Sequence, residues 1–140
     1  MKEKPKLTQK QNTGKKGEEL ALQFLIENGF EKLATNYRAG KGNGIGSNGE
    51  IDIIVKKGNV IHFVEVKTRK NDNFGNPEEF VSEAQASKIS QTAELFLEKL
   101  EEENNQESTY GFKGFIQFDI ISILFEKDIL KEILHLEDAF

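Results

Sequence analysis

The chain has 140 residues, no cysteine and a formal net charge of −5. This length suits one domain with a sizeable core, and the lack of cysteine excludes disulfides, thiolate zinc sites and a cysteine nucleophile. Neither a signal peptide nor a membrane-spanning stretch can be identified, so we expect a cytoplasmic protein without membrane contact.

Charge is distributed unevenly along the chain. Residues 1–16 hold six lysines and one glutamate, residues 36–70 hold seven lysines and arginines against three acids, and residues 78–108 hold two lysines and nine glutamates. Contacts with phosphates depend on the local potential, so an acidic protein can still present a basic face to nucleic acid. Charge runs are most often plain solvated surface, so this distribution permits a nucleic-acid partner without indicating one.

The first element is predicted to be a helix from Gly14 to Asn28, with Gly29 in the C-terminal stop position. Residues 1–13 lack periodicity and predict a flexible basic arm ahead of a single domain at 14–140. The apolar residues that recur at helical spacing are Leu20, Ala21, Phe24 and Leu25.

Glu18 lies at the head of this apolar stripe and is therefore directed inward. The simpler interpretation is an acid in the first helical turn that favours the helix dipole. The alternative is an acid that belongs to a site.

Three strands are predicted next, at residues 30–38, 51–56 and 60–67. The last two are apolar on both faces and are joined by the short turn Gly58-Asn59. Strands of this kind lie inside a sheet that helices cover on both sides.

The loop at 40–49 contains a formal G-x-G-x-x-G match at Gly44, Gly46 and Gly49. A dinucleotide site requires a helix after these glycines, whereas a strand is predicted to follow, so the match is rejected. We expect these glycines to form a flexible loop beside the charged end of the hairpin.

The second half of the chain predicts a long helix at 78–103 and two strands at 115–125 and 129–136. The order α-β-β-β-α-β-β indicates an α/β fold with a mixed β-sheet flanked by helices. The residues predicted to face inward on the long helix are Val81, Ala84, Ile89, Ala93, Phe96, Leu97 and Leu100.

Charged residues intrude on the two central strands where they meet. The start of one strand of a hairpin lies beside the end of the other, so Asp52 should approach Glu65 and Lys67. Two carboxylates in one site suit Mg²⁺, which takes one or two carboxylates together with phosphate oxygens, and a nearby lysine can orient the attacking water. An ion pair at the rim of the sheet is the simpler alternative, and spacing alone does not decide between the two.

The pattern Asp52 … Glu65-Val-Lys67 resembles the core of the PD-(D/E)XK nuclease superfamily. Further motifs follow in order over residues 14–140 and resemble the YraN-like bacterial family, which is similar to archaeal Holliday-junction resolvases. The motifs are Gly14-x-x-Gly17-Glu18-x-x-Ala21, Asn36-Tyr-Arg38, Gly49-Glu-Ile-Asp-Ile-Ile54, Phe63-Val-Glu-Val-Lys-Thr-Arg69, Phe74-Gly75 with Pro77, Lys88, Phe118-Asp119 and Ala139-Phe140.

The resemblance implies a restriction-endonuclease-like fold with a divalent-metal site. Carried over by position, Asp52 and Glu65 would be metal ligands and Lys67 the catalytic lysine. Glu18 would match the additional acid of the resolvase-like branch, and Glu50 would touch the metal or support the loop.

Arg38, Arg69 and Lys88 are the candidate phosphate contacts that the resemblance implies. Two departures affect the DNA surface. The loop at 40–49 is longer than the usual link to the acidic strand, and Gln117 stands where the family commonly has arginine.

The expected function is that of a Mg²⁺- or Mn²⁺-dependent endonuclease-like protein acting on DNA, with branched or structured DNA as the candidate substrate. The alternative is a non-catalytic nucleic-acid-binding or adaptor module that retains the nuclease fold. Analogy with junction resolvases also suggests a homodimer.

The two histidines do not indicate a histidine-based mechanism. His62 lies on the face opposite Glu65 and His135 lies near the C-terminus, and neither has a spaced partner, so both are predicted to pack in the core or on the surface. Asp119 is expected either to approach the acidic site or to make buried hydrogen bonds.

Overall fold

The computed structural model describes residues 9–38, 49–70, 81–103 and 114–140. Within these ranges the elements follow the order α-β-β-β-α-β-β, which confirms the predicted α/β fold. Their bounds are α1 Gln9–Glu27, β1 Glu31–Tyr37, β2 Ile51–Lys57, β3 Val60–Arg69, α2 Glu83–Glu103, β4 Phe115–Glu126 and β5 Ile129–Leu136.

The five strands form one mixed sheet in the order β1-β2-β3-β4-β5. Strands β1, β2 and β3 are mutually antiparallel, β3 and β4 are parallel, and β5 returns antiparallel to β4. A parallel pair needs a crossover connection, and α2 lies in the chain between β3 and β4. Strand β3 is therefore central, as its apolar faces predict.

Each helix packs on one face of this sheet. Ala21 and Leu25 of α1 are buried against Val64 of β3, while Ile89 and Phe96 of α2 lie in the opposite cluster. Alternate residues of β3 point to opposite faces, so His62 and Val64 share the α1 face, and neighbours at odd positions lie on the other face. Neither helix combines the length and the apolar content that crossing a bilayer would need.

The C-terminus of α1 has the geometry that Gly29 predicts. Gly29 has a φ of 91°, a conformation that glycine adopts without steric cost. The amide of Phe30 donates to the carbonyl of Leu25 at 3.0 Å, and both side chains lie in the same buried cluster. This pairing closes the last helical turn and turns the chain toward β1.

The N-terminus of α1 differs from the prediction. The helix begins at Gln9 rather than Gly14, and residues 1–8 of the predicted arm lie outside the described residues. Lysine and glutamine are good helix formers, so a polar segment can extend a helix without any apolar periodicity.

Helix α2 begins at Glu83, because the hydroxyl of Ser82 accepts a hydrogen bond from the amide of Gln85 at 3.1 Å and caps the helix. Of the four residues expected ahead of Ser82 on the helix, 78–80 lie outside the described residues. One expectation on the inner face is wrong, because Ala84 is exposed. Thr92, which the apolar pattern does not include because of its hydroxyl, is fully buried.

A close approach between α1 and β3 sets the position of the first helix. A Cβ atom added to Gly17 would collide with the Thr68 hydroxyl, whereas one added to Gly14 would meet nothing within 4 Å. Glycine at position 17 therefore lets α1 lie against the end of β3, and the next residue along the helix is Glu18.

We expect Gly17→Ala and Gly14→Ala to change stability in opposite directions. The alanine at position 17 forces Thr68 or the helix to move and should lower the free energy of unfolding by about 2 kcal/mol. The alanine at position 14 should raise it by up to about 1 kcal/mol, because alanine is the better helix former. Urea denaturation followed by circular dichroism measures both, and equal effects of the two substitutions would contradict this packing.

Candidate active site

Three strand ends meet at one end of the sheet. Tyr37 near the end of β1 pairs with Ile51 at the start of β2, and Ile53 of β2 pairs with Val64 of β3. The residues that follow Val64 therefore lie beside those that precede Ile53. The predicted convergence of the hairpin charges is confirmed in this register.

Asp52 is at the centre of the acidic group. Its Oδ2 accepts a hydrogen bond from the amide of Val66 on β3 at 2.8 Å. Glu65, the residue before Val66, is only 8% exposed. Burial first, and then the hydrogen bond and negative charge of Glu65, raise the pKa of Asp52 to about 8, although the Val66 amide acts in the opposite direction. Near neutral pH, the Asp52 carboxyl therefore keeps its proton and faces Glu65.

Glu18 reaches the same site from α1. Its Oε2 accepts a hydrogen bond from the side-chain amide of Asn36 at 3.0 Å. Burial raises the pKa of Glu18, the Asn36 hydrogen bond opposes this shift, and the nearby Asp52 and Glu50 charges add to it. Because α1 begins at Gln9, Glu18 is not in the first turn, and the helix-dipole interpretation is wrong.

Asn36 is a residue whose role the sequence did not reveal. It adopts a φ of 49°, in the left-handed region that asparagine tolerates better than most residues. This conformation at the end of β1 accompanies the hydrogen bond to Glu18. The motif Asn36-Tyr-Arg38 was the only signal of a special position.

Glu50 is paired with Arg38. The Nε and one terminal nitrogen of Arg38 donate to Oε2 of Glu50 at 3.2 and 3.0 Å. The Arg38 side chain remains 68% exposed, against 33% for Glu50. The guanidinium therefore neutralises the outermost acid and still faces solvent.

The other basic candidates also lie at this end of the fold. Lys67 follows Glu65 by two residues on β3 and is partly buried, and within the described ranges it makes no hydrogen bond or ion pair with the acids. Arg69 ends β3 and is partly buried. Lys88 is exposed on α2, and its carbonyl would lie 2.7 Å from a Cβ on Gly49, just ahead of the acidic strand.

This arrangement fits a hard divalent cation. Two adjacent carboxyl groups, of which Asp52 keeps its proton near neutral pH, supply oxygen ligands, and a dication can take the place of that proton. Asp52 and Glu65 are the pair best placed to hold it, with Glu18 beside Asp52.

A second polar cluster lies on the α1 face of the sheet. The Nδ1 of His62 and the Nε2 of His135 contact the same Oδ2 of Asp119 at 2.6 and 2.9 Å, and the Asp138 amide donates to Oδ1 at 2.9 Å. No partner for either histidine could be identified from sequence spacing; both contact Asp119, which lies on another strand, and His62 is buried as expected.

Asp119 has the buried hydrogen-bonding role that was one of its two expected roles. Burial alone would raise the pKa of Asp119, but the hydrogen bonds from His135, His62 and the Asp138 amide outweigh it and lower the pKa to about 2. The carboxylate stays ionised. Together with Glu137, the three side chains form a His/Asp/Glu cluster that can hold a metal ion.

The sequence profile of the "Uncharacterised protein family UPF0102" matches residues 17–123. The chain belongs to the UPF0102 family. UPF0102 proteins of Chloroherpeton thalassium and Christiangramia forsetii are 35% and 38% identical to it, each over 91% of this chain and 92% of the relative. The UPF0102 protein of Dictyoglomus turgidum is 42% identical over 79% of this chain and 80% of its own length.

In this UPF0102 protein, the proton held by Asp52 makes stability depend on pH. The pKa of Asp52 is about 8 in the folded protein against a usual value of 3.8, so the folded state binds the extra proton. The contribution of Asp52 to the free energy of unfolding is therefore most favourable below about pH 4, and it decreases as the pH rises toward 8.

Asp52→Asn should remove this dependence, because asparagine can still donate to Glu65 and accept from Val66. In buffer with EDTA at pH 8, we expect the free energy of unfolding of the variant to exceed that of the native protein by roughly 2 kcal/mol. At pH 5 the difference should be much smaller. Urea denaturation at several pH values measures this, with Glu132→Gln on exposed β5 as the control. A difference that does not change with pH would contradict the raised pKa of Asp52.

Proposed function

We propose that this UPF0102 protein is a divalent-metal-dependent endonuclease of the PD-(D/E)XK superfamily that hydrolyses phosphodiester bonds in branched or structured DNA. The observation that carries the proposal is the buried pair of Asp52 on β2 and Glu65 on β3. Lys67 follows Glu65 by two residues on β3.

Asp52 and Glu65 would hold Mg²⁺ or Mn²⁺. When bound, such an ion supplies positive charge that neutralises the phosphodiester and acidifies a water molecule. The Val66 amide orients one Asp52 oxygen at 2.8 Å, so the carboxylate keeps a fixed direction whether or not it is ionised.

Lys67 and Glu18 are the residues proposed to act on the reactants. The Lys67 ammonium has no acid partner among the described residues, and it can donate to the attacking water or to a phosphate oxygen. Glu18, held by Asn36 and with a raised pKa, is suited to accept a proton from that water. The water oxygen bonds to phosphorus, the P–O bond to the sugar breaks, and the departing oxygen takes a proton from solvent.

The DNA backbone is proposed to contact the basic residues around the acids. Arg38 is mostly exposed and Lys88 is exposed on α2, while Arg69 lies at the end of β3. In the free protein the Arg38 guanidinium forms an ion pair with Glu50, and a phosphate would compete with that carboxylate for the guanidinium. The contribution of the segment at 40–48 lies outside the described residues.

A homodimer is proposed as the active form, by analogy with resolvases that act on two strands. Edge strand β5 supports it, because Ile129 is 70% exposed and Leu134 is 38% exposed at the open side of the sheet. Light scattering with and without DNA tests this proposal, and a monomer under both conditions would refute it.

Cleavage assays with labelled four-way junction, flap and single-stranded DNA test the proposed activity. In Mn²⁺, Asp52→Asn and Lys67→Ala should each lower the cleavage rate by at least about 100-fold. Asp52→Asn should retain DNA binding, because it leaves the basic residues proposed to contact the phosphates unchanged.

Lys99→Ala is the matched control, since Lys99 is an exposed lysine farther along α2. It should leave the rate unchanged. Full cleavage by both site variants would refute the assignment of the site. Salt-dependent DNA binding by the native protein, without cleavage of any substrate in Mn²⁺ or Mg²⁺, would favour the non-catalytic binding module.

A further inference from the structure

The His/Asp/Glu cluster on the α1 face of the sheet brings together side chains from four parts of the chain. His62 belongs to β3, Asp119 to β4 and His135 to β5, while Glu137 lies in the turn after β5. One nitrogen or oxygen from each lies within 4.8 Å of all the others. The convergence of four such atoms from separate elements is the starting observation.

We infer that His62, Asp119, His135 and Glu137 form a four-coordinate site for zinc or a similar transition-metal dication, which holds the C-terminal hairpin to the centre of the sheet. This site is separate from Asp52 and Glu65, and it does not depend on the proposed nuclease activity.

The type of donor atom favours zinc over magnesium. Two imidazole nitrogens and two carboxylate oxygens are ligands that zinc takes in a tetrahedral arrangement, whereas magnesium prefers oxygen ligands and retains waters. Asp119 and Glu137 also supply the two negative charges that a dication needs.

The distances are close to those that a tetrahedral ion requires. Bonds of about 2.0–2.1 Å place neighbouring donor atoms roughly 3.4 Å apart. Asp119 Oδ2 lies 2.6 Å from His62 Nδ1 and 2.9 Å from His135 Nε2, and Glu137 Oε1 lies 4.0 Å from His62 Nδ1. Shifts of less than about 1 Å would place all three pairs at the required separation.

The surroundings hold the ligands in place. The Asp138 amide holds Oδ1 of Asp119 at 2.9 Å and leaves Oδ2 between the two imidazoles. The ring of Phe30 packs edge-on against His62 and His135, with centroids 5.0 and 5.8 Å away. Oriented ligands inside an apolar shell are typical of protein metal sites.

An open cleft gives an ion a path to the cluster. It has a volume of about 480 Å³, and His62, His135 and Glu137 line it together with Gln117. Lys57 is the one cation that lines this cleft among the described residues. Its ammonium donates to the Asn28 carbonyl at 2.9 Å and lies over the Phe30 ring, so its charge is already engaged.

A network of hydrogen bonds without any metal is the simpler explanation for the same contacts. In that case both imidazoles donate hydrogen bonds to the Asp119 carboxylate, and Glu137 has no role, as its 57% exposed side chain would suggest. The two explanations differ in what happens when a transition metal is supplied.

Titration of the full-length, tag-free protein with Co²⁺ distinguishes them, because four-coordinate Co²⁺ gives intense visible absorption. We expect one Co²⁺ per chain with this absorption, which Zn²⁺ displaces. Zinc at about 100 times its dissociation constant should raise the melting temperature by roughly 8 °C.

Two variants assign the ligands. Glu137→Gln changes an exposed side chain and should preserve the fold, yet it should weaken Co²⁺ binding at least about tenfold. His135→Gln should weaken it about 100-fold and abolish the zinc-dependent shift in melting temperature.

Glu132→Gln on β5 and Asp52→Asn in the acidic site are the controls and should leave the visible spectrum unchanged. Three results would each overturn the inference: no intense absorption with Co²⁺, absorption unaffected by both ligand variants, or absorption lost in Asp52→Asn.

Discussion

The mutual repulsion of buried carboxylates is the interaction on which the rest of this structure depends. Asp52 and Glu65 lie on neighbouring antiparallel strands, and burial leaves water unable to screen them. In the protein alone, protonation of Asp52 relieves the repulsion, as its raised pKa indicates. Burying such a pair at the end of the central hairpin lowers the stability of the fold. A destabilising group of this kind is typical of functional sites, including those that bind a cation.

The surrounding fold serves to hold this acidic group in place. Gly17 allows α1 to approach Thr68, and this approach brings Glu18 to the site, where Asn36 orients it. On the other face, Gly49 permits the close passage of α2 at Lys88. Both helices therefore contribute residues to one end of the sheet because glycine removes the Cβ atoms that would separate the layers.

Periodicity predicted much of the fold, because both helices and the inner strands bury continuous apolar surface. The hairpin charges could also be predicted, since the turn at Gly58 sets which residues of β2 and β3 lie side by side. The limits of α1 could not, because its first residues are polar. The contacts of Asp119 were beyond reach as well, since its partners lie 57 and 16 residues away on different strands. Such pairing depends on strand order, which local patterns do not specify.

The most direct test of a cation site at Asp52 and Glu65 is anomalous diffraction from crystals soaked in Mn²⁺. If these carboxylates hold the ion, an anomalous difference peak should lie between them in the native protein and should disappear in Asp52→Asn. A well-ordered Asp52 and Glu65 without a peak at saturating Mn²⁺, or a peak that persists in the variant, would contradict the assignment of the acidic group as the metal site.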